Sequence, residues 1–224
     1  MTLSPITPRG RVLGPLIRSV QIASGGVASP WDSWLTLRGM RTLHIRVERQ
    51  CKTAMKLAEY LHEKMQLAAA RVDPDLTPKV AVVQAVHYPG LPSHPQHNVA
   101  TRQMALATAT TKITRTDTSN NSGNISGSYC YGGVLSFELA NEVEAMAFAG
   151  AVQIAQRATS LGGTETLIEH RASIEPPENI VSPLGLLRVS VGLEDPDDLI
   201  RDFDSAFAIV EQVVSAVVYS GDIT

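Results

Sequence analysis

Residues 42–70, TLHIRVERQCKTAMKLAEYLHEKMQLAAA, constrain this chain more than any other stretch. Val47, Cys51, Ala54, Ala58, Leu61 and Met65 recur every three or four positions. Arg46, Arg49, Lys52, Lys56, Glu59 and Lys64 fill most of the remainder. That is the period of an amphipathic helix. A helix of about 28 residues spans roughly 42 Å. Such a length suits a helix that bridges two domains or lies along a larger body. Ala54 and Ala58 are small enough to let another element pack close against the stripe.

The rest of the chain has to supply what that stripe packs on. Ser29, Pro30 and Gly39 bracket a short helix in SPWDSWLTLRG, with serine at the cap and proline at the first turn. A strand is expected around 16–22 and another over 79–88, KVAVVQAVHY. The proline-broken turn PGLPSHPQHN precedes a helix from about 98 to 107. Residues 108–130 are rich in Thr, Ser, Asn and Gly without apolar periodicity, and read as a flexible surface insertion. GGVLSFEL, 132–139, is a strand. Asn141 with Glu144 three positions on forms a capping-box pattern opening a helix to about 156. TETLIEH, 164–170, reads as a short helix, and LLRVSVGL as the last strand. Asp195, Pro196 and Asp198 open the final helix, whose stripe is Leu199, Phe203, Phe207, Val210, Val214 and Val217. This alternation of helices and strands specifies an α/β sandwich.

Composition removes several classes of function. A net charge of −3 gives no basic footprint for nucleic acid. No run of about 18 apolar residues exists, so no transmembrane helix is expected. The first 21 residues lack a continuous apolar segment, so no signal peptide is read there. Two cysteines without metal-ligand spacing fit a reduced, cytoplasmic protein. His94 and His97 have no third ligand nearby, and no metal site is expected. Neither G-x-G-x-x-G nor a Walker A sequence occurs. Charged residues make up 18% of the chain, below the roughly 25% usual in globular proteins. That deficit fits burial of surface against a partner.

One residue stands against its surroundings. In GLLRVSVGLEDPDDLI, Leu187, Val189 and Val191 alternate as a buried strand face, and Arg188 points the other way with Leu186 and Ser190. Taken alone, Arg188 is either a solvated or salt-bridged strand residue or an anchor for an anion.

Four blocks bear on that choice: SPWDSWLTLRGMRTLHIRVERQCKTAMKLAEYL, VHYPGLPSHPQHNVATRQM, GGVLSFEL, and TSLGGTETLIEH with LLRVSVGLEDPDDLI. Together, in this order, they resemble the C-terminal portion of the Cys/Met-metabolism enzymes that depend on pyridoxal phosphate. These are the cystathionine γ-synthases, cystathionine γ-lyases and methionine γ-lyases. The resemblance covers about residues 22–215. It implies the C-terminal domain of a fold-type I enzyme, with a small, mostly antiparallel sheet covered by helices and one long helix. Residues 1–28 would be a remnant of the large-domain end. Residues 29–224 would form the small domain, with 42–70 as its linking helix.

The resemblance also assigns residues. Arg188 falls on the family's arginine for the substrate carboxylate, and Ser160 on a carboxylate-contacting serine. A guanidinium matches a carboxylate with a planar pair of donors, and a strand holds it more rigidly than a loop. Thr159 occupies a substrate-specificity position where several relatives carry glutamate. It points away from cystathionine and toward a sulfhydrylase-like γ-replacement. The family's Schiff-base lysine lies upstream of the matching region, so no catalytic residue is expected here. Lys112, in TTKITRTD, reads as a loop lysine. The implied reaction is γ-replacement or γ-elimination on homoserine esters or sulfur amino acids. The implied partners are an amino acid substrate and either a homo-oligomer or a full-length homologue. The other reading is a catalytically inactive structural or regulatory homologue that binds a full-length family member.

Overall fold

In the computed structural model, residues 8–70, 83–104 and 130–220 are described, and they fall into two compact units, 1–44 and 45–224. The insertion expected over 108–130 lies, up to 129, outside the described residues.

The first unit holds α1 (Pro8–Ser24) and α2 (Pro30–Met40). The strand expected at 16–22 is instead part of α1. Leu13, Leu16, Ile17 and Val20 carry a helical spacing that outweighs the local β-branched content. In α2 the Ser29 hydroxyl accepts from the Asp32 amide at 3.1 Å, with Pro30 at the first turn, as the cap pattern predicts.

The second unit is built on a five-stranded sheet in the order β1-β2-β5-β4-β3. Its strands are β1 (Ala85–His87), β2 (Val134–Glu138), β3 (Gln156–Arg157), β4 (Leu167–His170) and β5 (Leu186–Ser190). All pairings are antiparallel except β3 with β4. The helices are α3 (Leu43–Ala70), α4 (His97–Met104), α5 (Glu142–Ala151) and α6 (Pro196–Ser220). The mixed α/β architecture with a mostly antiparallel sheet matches the expectation, and α3 has the expected 28 residues.

One face of the sheet carries the core. Leu135, Phe137, Leu187, Val189 and Ile168 are 0–1% exposed and pack with α3, α5 and α6. Each such side chain contributes about 1.5–3 kcal/mol by burial. All four phenylalanines of the chain meet there. Phe148 of α5 contacts Phe137 at 5.4 Å, Phe203 at 5.1 Å and Phe207 at 4.7 Å. Edge-on and tilted pairs of this kind join the sheet to both helices. The α3 stripe includes Leu57, which the simple spacing omits, while Val47 is 40% exposed. The charged side of α3 reaches α6 through Lys56–Asp197 and Lys64–Asp204, both at 2.6 Å.

Three boundaries differ from the sequence reading. TETLIEH contains the strand β4 and no helix, because Leu167–His170 pair with β5 on one side and two of them with β3 on the other. Helix α5 stops at Ala151, short of 156. Asp202 of α6 accepts the amides of Gln153, Ile154 and Ala155 at 2.8, 2.9 and 3.2 Å, so those donors leave the helical ladder. Strand β1 is confined to Ala85–His87, and residues 79–82 of the expected strand lie outside the described residues. The Asn141–Glu144 box forms as expected. The Glu144 amide donates to Asn141 Oδ1 at 3.0 Å, and Asn141 Nδ2 donates to Glu144 Oε1 at 2.9 Å.

Candidate functional site

Strand β5 lies between β2 and β4, so its outward residues have neighbours on both sides. Leu187 and Val189 are fully buried in the core, and the pleat sends Arg188 to the opposite face. Register places Ser136 of β2 and Glu169 of β4 beside it, with His87 of β1 beyond Ser136. A polar row therefore crosses the sheet on the face away from the core.

Arg188 is held rather than solvated, its side chain 19% exposed. Its Nη2 donates to the Thr159 carbonyl at 2.6 Å and to the Ser160 carbonyl at 3.3 Å. The same nitrogen forms an ion pair with Glu169 Oε2. Its Nε is buried and has no hydrogen-bond partner. Buried guanidinium nitrogens are seldom left this way, since an unmade bond to a charged donor is costly. The guanidinium is thus fixed through one nitrogen and retains donor capacity on the others.

Glu169 is the residue the sequence reading did not find. It is 3% exposed and serves two cations, pairing with Arg188 and with Arg171 Nη1 at 2.6 Å. Arg171 reaches Glu175 at 3.6 Å. Glu175 is itself gripped by the Ser182 hydroxyl and the amides of Ser182 and Val181, which hold its carboxyl down at about 2. The network balances two guanidinium groups with two carboxylates. Arg188 shares Glu169 with Arg171, which has Glu175 as a second partner. The signal that could have revealed Glu169 is its place in a strand opposite Arg188, which a helical reading of TETLIEH conceals.

The loop that supplies the two carbonyls is locked from several sides. Gly162 has φ +77°, in the left-handed region open to glycine, and its amide donates to Ser190 Oγ at 3.1 Å. Gln50 of α3 donates to the Gly163 carbonyl at 2.7 Å. Glu194 accepts from the Thr166 amide at 2.7 Å and the Thr166 hydroxyl at 2.6 Å. The Gly192 amide donates to Thr166 Oγ1 at 2.9 Å. A Cβ on Gly192 would sit 2.3 Å from the Thr164 carbonyl oxygen, so the two turns touch backbone to backbone.

The structure brings Arg188, Ser160 and Thr159 together, in each case through the backbone carbonyl of the loop residue. Ser160 is exposed, and its hydroxyl makes no hydrogen bond to another described residue. Of the two histidines in the proline-rich turn, His97 bonds the Pro89 carbonyl at 2.9 Å and stacks on Tyr131 at 5.7 Å between ring centres, so it pins that turn.

Comparisons with known proteins identify the family and the fold. The sequence matches the profile of the Cys/Met metabolism PLP-dependent enzyme family over residues 9–124 and 119–208. It is 35% identical over 204 residues to a cystathionine beta-lyase of Coxiella burnetii, covering 88% of this chain and 42% of that protein. It is 33% identical over 198 residues to an L-methionine gamma-lyase of Pseudomonas putida, covering 85% and 40%. The crystal structure of metB from Corynebacterium glutamicum superposes with a TM-score of 0.59 at 30% identity, covering 83% of this chain and 39% of that one. The chain thus spans about two fifths of the length of these relatives. With a profile match along nearly its whole length and relatives at a third identity, this chain belongs to the Cys/Met metabolism family of pyridoxal-phosphate-dependent enzymes.

Proposed function

We propose that this chain supplies the substrate-carboxylate site of a trans-sulfuration-type enzyme acting on sulfur amino acids or homoserine esters, by elimination or replacement. The observation that carries this reading is Arg188, a guanidinium fixed on a central strand with a buried Nε lacking a partner. A substrate carboxylate would take the free donors, and the exposed Ser160 hydroxyl stands on the loop beside it. Holding the carboxylate fixes the direction of the substrate's Cα–H bond, and positioning of this kind lowers a barrier by several kcal/mol. Thr159, whose carbonyl orients Arg188, sits at the specificity position.

The described residues fit the substrate and not the cofactor. A lysine that bonds pyridoxal phosphate needs an amine free to face it. Lys52 pairs with Glu48 at 2.7 Å, and Lys56 and Lys64 pair with aspartates of α6. Lys79 and Lys112 lie outside the described residues. In this reading the cofactor is held by residues other than the described ones, which a full-length homologue would supply in trans. The engaged lysines equally favour a second reading, a catalytically inactive subunit that regulates or stabilises such a homologue.

Complementation separates the two. A cofactor-loaded full-length homologue whose anchoring arginine is replaced by alanine is mixed with this chain, and elimination from L-methionine is measured. The first reading expects turnover to recover with the natural chain and not with Arg188→Ala. Binding without recovery supports the second reading, and equal recovery with both chains removes Arg188 from the site.

A further inference from the structure

We propose that Ser136 is a second donor to the substrate carboxylate, placed beside Arg188 by the pairing of β2 with β5. The inference rests on the reading of Arg188 as the carboxylate anchor. It adds the residue that turns one cation into a two-sided seat.

Ser136 stands directly opposite Arg188, with His87 of β1 on its other side. Its neighbours along β2, Leu135 and Phe137, are buried in the core, so the pleat sends Ser136 to the same open face as Arg188. Opposed residues of antiparallel strands have Cβ atoms about 4.5–5.5 Å apart. The Ser136 hydroxyl is therefore within reach of a small group seated on the guanidinium.

The polar groups around Ser136 are committed elsewhere. His87 Nε2 bonds Glu138 Oε1 at 2.6 Å. The Arg188 contacts run the other way, from Nη2 to Glu169 of β4 and to the Thr159 and Ser160 carbonyls. Ser190, also on this face, accepts from the Gly162 amide at 3.1 Å. Ser136 is left half-buried, and its hydroxyl makes no hydrogen bond to another described residue. A hydroxyl partly withdrawn from water normally finds a partner. The frame around it is apolar, with Ala85 and Leu186 half-buried and Val134 exposed. A few placed polar groups in an apolar frame are the usual make-up of a small-molecule site.

The donors match a carboxylate. A serine hydroxyl has one O–H to give. Arg188 Nη1 makes no hydrogen bond to a described residue, its bonds running from Nη2. One carboxylate oxygen takes Nη1–H and the other takes the Ser136 O–H. The two acids of this polar row, Glu138 and Glu169, are each bonded to a basic side chain. Holding both oxygens restricts rotation of the carboxylate, so the substrate is oriented as well as bound.

The test is an NMR titration of the full, isotopically labelled chain with L-methionine. The dissociation constant is read from the Arg188 Nε–H resonance in the natural chain, Ser136→Ala and Ser136→Thr, and the same three proteins are unfolded in urea. Ser136→Ala should bind about tenfold more weakly, the loss of one hydrogen bond to a charged group. Ser136→Thr keeps the hydroxyl and should stay within about threefold of the natural chain. The urea midpoint of Ser136→Ala should not move, because the hydroxyl bonds nothing described in the fold. Equal affinity of Ser136→Ala and the natural chain would remove Ser136 from the site and leave the Arg188 reading standing. A lowered midpoint in Ser136→Ala, or equal weakening in both variants, would mark Ser136 as structural and overturn the proposal. No saturable shift in the natural chain would remove the Arg188 reading and this one together.

Discussion

Replacing Glu169 by glutamine probes the network that fixes Arg188. Glutamine keeps the shape of a side chain that is 3% exposed, but removes a charge shared by two guanidinium groups. Its amide oxygen can still accept from Arg171. Its amide nitrogen then faces Arg188 Nη2, donor against donor. Hydrogen bonds to charged groups are worth about 1.5–3 kcal/mol, and breaking a buried pair by removing one partner costs up to about 3–5 kcal/mol. The side chains of Arg188 and Arg171 are 19% and 29% exposed, so water recovers part of the loss. The expected destabilisation is therefore about 2–4 kcal/mol. For a chain of this size that lowers Tm by roughly 4–16 °C. Urea unfolding of Glu169→Gln, Arg188→Met and the double variant would measure it. The cycle should give a coupling of about 1–3 kcal/mol between the two positions. A Glu169→Gln variant within about 0.5 kcal/mol of the natural protein, the scale of an exposed pair, would refute the reasoning.

Three other outcomes follow from particular contacts. Gly192→Ala should lower stability and shift the amide resonances of 164–166, because its Cβ meets the Thr164 carbonyl oxygen at 2.3 Å, and unchanged spectra would contradict that close approach. Phe203→Ala, at a fully buried ring touching Phe137 and Phe148, should cost about 3–5 kcal/mol in urea unfolding. Ser182→Ala should raise the Glu175 carboxyl from about 2 toward its ordinary 4.5 in an NMR titration, since the Ser182 hydroxyl is the main cause of the depression. A depressed carboxyl supports the fold above pH 4.5 and that support is lost as pH falls through about 2, so the variant should lose part of the natural protein's resistance over that acid range.

Features set by local chemistry were legible in the sequence. Helix α3 follows from residue spacing, the start of α5 from the Asn141–Glu144 box, and the start of α6 from Asp195, whose carboxylate accepts the Asp197 amide at 2.9 Å. The direction of Arg188 follows from strand alternation alone. What stayed hidden depends on distant partners. Strand β4 is short and carries Glu169, a residue depleted in strands; it exists because β3 and β5 bond it from both sides. The end of α5 is decided by Asp202, about fifty residues further along. Glu169 could not be paired with Arg188 until β4 was known to be a strand in that register. The half-exposed Val47 on the predicted α3 stripe shows the same limit, since periodicity marks a face but not where its cover stops.

The central claim is that Arg188 receives a carboxylate, and its buried Nε–H gives a direct reporter. The Arg188 Nε–H resonance of the isotopically labelled chain would be followed by NMR during titration with L-methionine and, separately, with its methyl ester. The account predicts a saturable shift with the free carboxylate and none with the ester. No shift with either, or the same shift with both, would contradict it.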